Sequence, residues 1–116
     1  MGYTLSLSTA VGGGATVANA LAGTAIEYMG EDAMLDIYAN GDITGMSFAL
    51  TGYKGSSPGE ALIPAGSSLF VASTVGKVKI NEDFIASVPI PGGTRLVLPI
   101  TNPGAASNAR FQFVVH

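Results

Sequence analysis

The chain has 116 residues, 47% of them hydrophobic, with eight acidic and five basic side chains, one His and no Cys or Trp. That length is one domain with room for a core, and the missing Cys excludes a disulfide framework, a thiolate zinc site and a thiol nucleophile. A net charge of −3, with only Lys77 and Lys79 close together among the cations, lacks the basic cluster that a phosphate backbone requires.

The first element in chain order is a strand. In Tyr3-Thr4-Leu5-Ser6-Leu7-Ser8, Tyr3, Leu5 and Leu7 point inward and the hydroxyls outward. Val11-Gly12-Gly13-Gly14 ends it, because three glycines make any regular element entropically expensive. Ala15–Gly23 is small and uncharged, with Val17 and Leu21 four apart, and reads as a helical turn or an irregular crossing. Ala25–Met29 is a short strand, Gly30-Glu31-Asp32 a turn, and Met34–Tyr38 a third strand with Leu35 and Ile37 on one face.

Asn40-Gly41 is a strong hairpin signal, since both residues tolerate positive φ. In a jelly roll, however, the strands on either side of this dipeptide lie on different sheets, so the same dipeptide would mark a crossover. Ile43–Tyr53 reads as the longest strand, with Met46, Phe48 and Leu50 sharing a face. Lys54–Gly59 is a loop. Ala61–Ile63 and Leu69–Val71 are apolar runs separated by Pro64-Ala65-Gly66, and Pro64 disfavours an uninterrupted central strand there.

Lys77–Ile80 alternates, with Val78 and Ile80 inward. Glu82-Asp83 reads as a solvated turn before the apolar run Phe84–Ile90, whose Pro89 and Pro91 mark an edge strand or a bend. After Pro91-Gly92-Gly93 come the two clearest strands. Leu96, Leu98 and Ile100 share one face of the first, and Phe111, Phe113 and Val115 share one face of the second. A strand running to His116 needs an interior place in a sheet to hold it.

No segment keeps a helical period over three turns. Eight or nine short strands make residues 1–116 a single all-β domain, an antiparallel β-sandwich. The strand count favours an eight-stranded jelly roll. An immunoglobulin-like sandwich is the competing architecture, although the Cys-Trp-Cys signature is absent. No run of 18 apolar residues provides a membrane span, and the N-terminus has no secretory signal pattern.

Catalytic and metal-binding chemistry finds little support. His116, the only histidine, stands at the end of the chain, where a side chain is expected to fray, and a cupin-type metal centre needs several His. The acidic set Glu27, Glu31, Asp32, Asp36 and Asp42 lacks calcium-loop spacing and reads as loop carboxylates at one end of a sandwich. Gly12-Gly13-Gly14-Ala15-Thr16 lacks the Gly-Lys-Ser/Thr of a phosphate loop. Ser6, Ser8, Thr9, Ser56, Ser57 and Ser67 have no histidine base near them in sequence. The expected set of catalytic, cofactor-binding and metal-binding residues is therefore empty, and the expected cofactor list is also empty. Tyr3, Tyr28, Tyr38 and Tyr53 offer a sugar-stacking platform or, more simply, half-buried rings with wet hydroxyls.

Charged residues are 11% of the chain, against roughly 25% in an ordinary soluble domain. A surface so short of charge points to partners that cover it, most simply copies of the same chain.

A family resemblance joins these readings. The chain is a Gly/Ala/Ser/Thr-rich β protein that starts on a strand at Tyr3–Ser8 and ends on one at Ala109–Val115. It carries Gly-Gly-Thr-Arg-Leu-Val-Leu at 92–98 and Asn-Pro-Gly at 102–104. In these features, over its whole length, it resembles the small jelly-roll decoration, or cement, proteins of tailed-bacteriophage capsids. The resemblance implies a non-enzymatic structural protein on the capsid surface of a virion. It also implies a homotrimer at three-fold axes that fixes neighbouring copies of the major capsid protein, without nucleic acid or membrane. The uncharged stretches Thr9–Ala25 and Ser67–Gly76 are then the candidate contact surfaces. The rival reading is a carbohydrate-binding or adhesive β-sandwich module that uses the tyrosines and the acidic set.

Overall fold

The computed structural model describes residues 3–55, 58–71, 78–79 and 83–116, with the side chains of Tyr3 and Phe70 left aside. The described residues form eleven strands and no helix: β1 Tyr3–Val11, β2 Ala15–Val17, β3 Tyr28–Met29, β4 Ala33–Gly41, β5 Ser47–Lys54, β6 Glu60–Ser68, β7 Phe70–Val71, β8 Phe84–Ile90, β9 Thr94–Val97, β10 Ile100–Asn102 and β11 Ser107–Val115. They make two sheets. In sheet A the order is β1-β11-β4-β8, with β7 adding a short parallel pair at Asn40 and Gly41 of β4. In sheet B, β5 pairs with β6 on one side and with both β9 and β10 on the other. β3 then pairs with β9, and β2 with β10.

The break between β9 and β10 falls at Leu98-Pro99, where proline has no N–H to give to a ladder. If β9 with β10, and β2 with β3, are each taken as one interrupted strand, sheet B has four positions, as sheet A has. The antiparallel partners are nested: β1 with β11, β2 and β3 with β10 and β9, β4 with β8, and β5 with β6. The fold is therefore an antiparallel, jelly-roll-like β-sandwich.

Period-two alternation builds the core between the sheets. Phe111, Phe113 and Val115 of β11 and Leu35, Ile37 and Ala39 of β4 meet Phe48 and Leu50 of β5, with Leu96, Leu98 and Ile100, all at most 3% exposed. Phe48 crosses the gap edge-on to Phe111, 5.6 Å between centroids, and Phe111 stacks on Phe113 at 5.7 Å. β11 lies between β1 and β4, which is the interior place expected for the last strand. Met34 and His116 exchange backbone hydrogen bonds of 2.7 and 2.9 Å, so the β4–β11 ladder continues to the final residue.

Several expectations change. Asn40-Gly41 is no hairpin: both residues end β4, and residues 42–46 cross from sheet A to sheet B. Gly41 is not in the left-handed region. Its value is space, because a Cβ there would stand 3.0 Å from Met46 Sδ. The same crossing shortens the expected Ile43–Tyr53 strand to the eight residues of β5, and β1, β4, β6 and β11 are longer at nine each. Ala15–Gly23 contains the strand β2 and then turns, and Ala25–Met29 keeps only Tyr28–Met29 as strand.

β6 runs through Pro64, but as an edge strand. Between the pairs Phe48↔Ser67 and Leu50↔Ile63 it loops out Pro64, Ala65 and Gly66, with Gly66 at φ +83°. β8 is the expected edge strand bearing Pro89. Of the proposed strand Lys77–Ile80, Lys77 and Ile80 lie outside the described residues, and Val78 and Lys79 belong to no strand.

Candidate interaction surface

The chemistry-bearing residues singled out in the sequence are dispersed by the fold. The acidic set does not gather at one end. Asp32 precedes β4, Asp36 lies within it, and Asp42 follows it, so the outer two are separated by a strand of about 30 Å. Glu27, Asp32, Asp36 and Asp42 each have their own partner. Asp32 accepts a 2.7 Å hydrogen bond from Gly92 N–H. Glu27 accepts one of 3.0 Å from Gly23 N–H and contacts Arg95 Nε at 3.4 Å. Asp42 receives Arg110 bidentately at 2.5 and 2.9 Å. The Arg110 guanidinium holds the Asp42 carboxyl below its ordinary range, while burial pushes the other way. Among the described residues no three His, Asp or Glu side chains converge as a metal site.

His116 is not frayed. Its backbone is tied to Met34, and its Nε2 lies 3.0 Å from Asp36 Oδ2. Ser87 Oγ donates to Asp36 Oδ1 at 2.5 Å. The Ser87 hydroxyl holds the Asp36 carboxyl below its ordinary range, with His116 adding to it against burial. Ser, Asp and His thus stand together with the carboxylate in the middle. A nucleophile needs the imidazole beside the hydroxyl, so this order stitches β4 to β8 and to the chain end without activating Ser87. A groove of about 520 Å³ opens beside it, lined by Asp32, Ala33, Met34, Pro89, Ile90, Pro91 and His116.

Asp83 is also not solvated. It is 4% exposed and accepts hydrogen bonds from Asn40 Nδ2 at 3.0 Å and Lys79 N–H at 2.7 Å. Glu82, Ser56 and Ser57 lie outside the described residues. Ser6 meets Gln112 at 3.4 Å, and Ser67 bonds the Pro64 carbonyl at 2.7 Å.

The outer face of sheet B is built differently. Its register and alternation place Thr16, Thr101, Ser47 and Ser68 in one row across four strands. Val97, Thr51 and Ala61 form a second row. A third contains Tyr28, Arg95 and Tyr53, with Arg95 directly opposite both tyrosines. From Ser47 to Tyr53 the face extends about 20 Å, hydroxyl-rich at one end and aromatic at the other. Arg95 is the one charged residue in these three rows. Tyr28 and Tyr53 therefore share a face, whereas Tyr38 lies on sheet A, edge-on to Phe84 at 5.3 Å.

Residues 18–27 close the gap between β2 and β3. Asn19 Oδ1 accepts from Leu21 N–H and Leu98 N–H, both at 3.0 Å, and Ala20 N–H donates to the Leu98 carbonyl at 2.8 Å. Leu21 is buried, Ala18 is exposed, and Ala20 packs partly against the core. Nothing in the sequence flagged Asn19; an Asn preceding an apolar residue in an Ala-rich stretch is the only local signal. No family model, no curated protein and no solved structure matches the chain.

Proposed function

We propose that the protein is a non-enzymatic structural component, a decoration or cement protein that binds and stabilises a viral (bacteriophage) shell as an oligomer. The observation that carries this reading is the hydroxyl-rich end of sheet B. A row of Thr16, Thr101, Ser47 and Ser68 adjoins the exposed Ala18 and carries no charge. Such a surface is less costly to desolvate than a charged one, and symmetry multiplies each weak contact, so avidity substitutes for single-site affinity. Thr16 and Ser68 belong to the two stretches the sequence nominates, Thr9–Ala25 and Ser67–Gly76, of which 72–76 lie outside the described residues; Ser47 and Thr101 belong to neither.

The nested strand pairing supports a jelly roll over an immunoglobulin-like sandwich, because β1 pairs with the last strand and not with the next one. Fold alone does not assign function; the trimer and the three-fold seat on the major capsid protein follow from the family resemblance.

The test is native mass by light scattering across a dilution series, followed by co-sedimentation with undecorated shells. The expected result is a stable trimer that pellets with shells. A monomer at micromolar concentration that stays in the supernatant overturns the reading.

A further inference from the structure

The opposite end of the same face carries a second feature. Tyr28 is 68% exposed, the most exposed large hydrophobic side chain among the described residues. It lies on the two-residue edge strand β3, directly opposite Arg95 of β9, which is itself directly opposite Tyr53 of β5. Neighbouring strands are about 4.8 Å apart, so the two tyrosines flank the arginine across about 10 Å. Solvent reaches 44% of the Arg95 side chain.

Arg95 is held in place from one side. Glu27 has only 12% of its side chain exposed and is itself fixed by the Gly23 N–H. It engages Arg95 through Nε alone, at 3.4 Å. The two terminal guanidinium nitrogens make no hydrogen bond to other described residues, and they form a planar fork that matches a carboxylate. Tyr53 is braced as well. The backbone at Gly59 lies so close that a Cβ there would stand 2.7 Å from the ring.

We infer that the Tyr28–Arg95–Tyr53 row is a binding site for a pyranose that carries a carboxylate, an acidic sugar of the uronate or sialate kind. The tyrosine rings provide apolar faces for the C–H face of a sugar ring, with hydroxyls at their rims. The Arg95 fork takes the carboxylate in two parallel bonds. With Glu27 on Nε, the terminal fork of Arg95 has room for one further carboxylate. A phosphate polymer would need several clustered cations, and the chain, at net charge −3, brings no second cation to this row. The site lies about 20 Å along β5 from the hydroxyl-rich row, so occupancy here and assembly there do not exclude each other. The inference does not depend on the shell-binding reading.

The experiment is an NMR titration of the full chain with a galacturonic acid trisaccharide, beside the uncharged galactose trisaccharide of the same linkage. The expected result is shifts centred on Tyr28, Arg95 and Tyr53, with a Kd near 1 mM or below and at least about tenfold preference for the acidic sugar. Arg95→Lys keeps the charge but loses the fork, and is expected to weaken binding about tenfold. Tyr28→Ala does the same, and Tyr28→Phe retains binding. Both positions are exposed, so circular dichroism of the three variants should match wild type.

Absence of shifts at about ten times that concentration, equal affinity for the neutral sugar, or indifference to Arg95→Lys overturns the inference. So does equal binding of a tri-glutamate peptide, which would make the row a carboxylate site without sugar recognition. A Tyr28→Ala protein of reduced native mass would instead make the row a subunit interface.

Discussion

On the outer face of sheet A, charge is present and closed. Arg110 grips Asp42, Asp36 sits between Ser87 and His116, Ser6 meets Gln112, and Tyr38 meets Phe84. On the outer face of sheet B, the three cross-strand rows hold hydroxyls, small apolar groups, two tyrosines and one arginine. Their side chains make few bonds to each other, one of them a 3.4 Å contact between Thr16 and Thr101. The first face is cross-linked within the molecule and the second is left available. On sheet A, Asp36, Asp42 and Arg110 are used to join neighbouring strands and the chain end, and the more sparsely bonded face of sheet B is the one suited to a partner.

The largest effect expected from breaking this contrast is on sheet A. Arg110→Ala removes both bonds to Asp42, whose side chain is only 22% exposed. Hydrogen bonds to charged groups contribute about 1.5–3 kcal/mol, so a loss of about 2 kcal/mol is expected in urea unfolding. Arg110→Lys, which loses the bidentate fork, should recover only part of it. A change below about 0.5 kcal/mol would mean that the pair is ornamental and the contrast between the faces overstated.

The pH dependence is expected to be smaller, and it has a fixed sign. Asp36 and Asp42 both titrate below their ordinary value of 3.8 in the folded chain. The unfolded chain therefore takes up protons first as pH falls. The stabilisation from both carboxylates is complete above the unfolded value and is lost as pH drops through the folded ones. Unfolding midpoints should be flat above pH ~5 and decline below ~4. The double variant Asp36→Asn, Asp42→Asn should be less stable at neutral pH and show a shallower acid decline. An equally steep decline in that variant would place the acid-sensitive groups elsewhere.

Alternation made the frame legible. The inward sets Leu5 and Leu7, Leu35 and Ile37, Phe48 and Leu50, Leu96 to Ile100, and Phe111 to Val115 follow from spacing alone, since period two leaves no other face to bury. Sequence reasoning was weakest where tertiary contacts override local signals. Asn40-Gly41 has the chemistry of a hairpin, yet Met46 and the crossing to sheet B need Gly41 for room. The irregular 18–27 segment is organised by Asn19, whose carbonyl oxygen serves Leu98, 79 residues away. His116 is pinned because β11 is paired on both sides. The Tyr28–Arg95–Tyr53 row needed the register of three strands, which spacing within any one of them does not contain.

The smallest expected effect on stability is also the sharpest test of the contrast. Thr101→Glu and Ala18→Glu place charge on exposed positions at the hydroxyl-rich end of sheet B, and Ser6→Glu places the same charge on an exposed position of sheet A. Ala20→Glu is unsuitable, because Ala20 packs against the core and its failure would confuse folding with assembly. Exposed substitutions of this kind change stability by at most about 0.5 kcal/mol, so all three proteins should unfold like wild type. They should differ in native mass and in shell co-sedimentation. Desolvating an unpaired carboxylate at a contact costs several kcal/mol, enough to remove an interface built from weak contacts. Thr101→Glu and Ala18→Glu are thus expected to be monomeric and non-binding, and Ser6→Glu unchanged. Loss of assembly in Ser6→Glu, with Thr101→Glu and Ala18→Glu intact, would transfer the contact surface to the cross-linked face, and the sparseness of sheet B would then need another explanation.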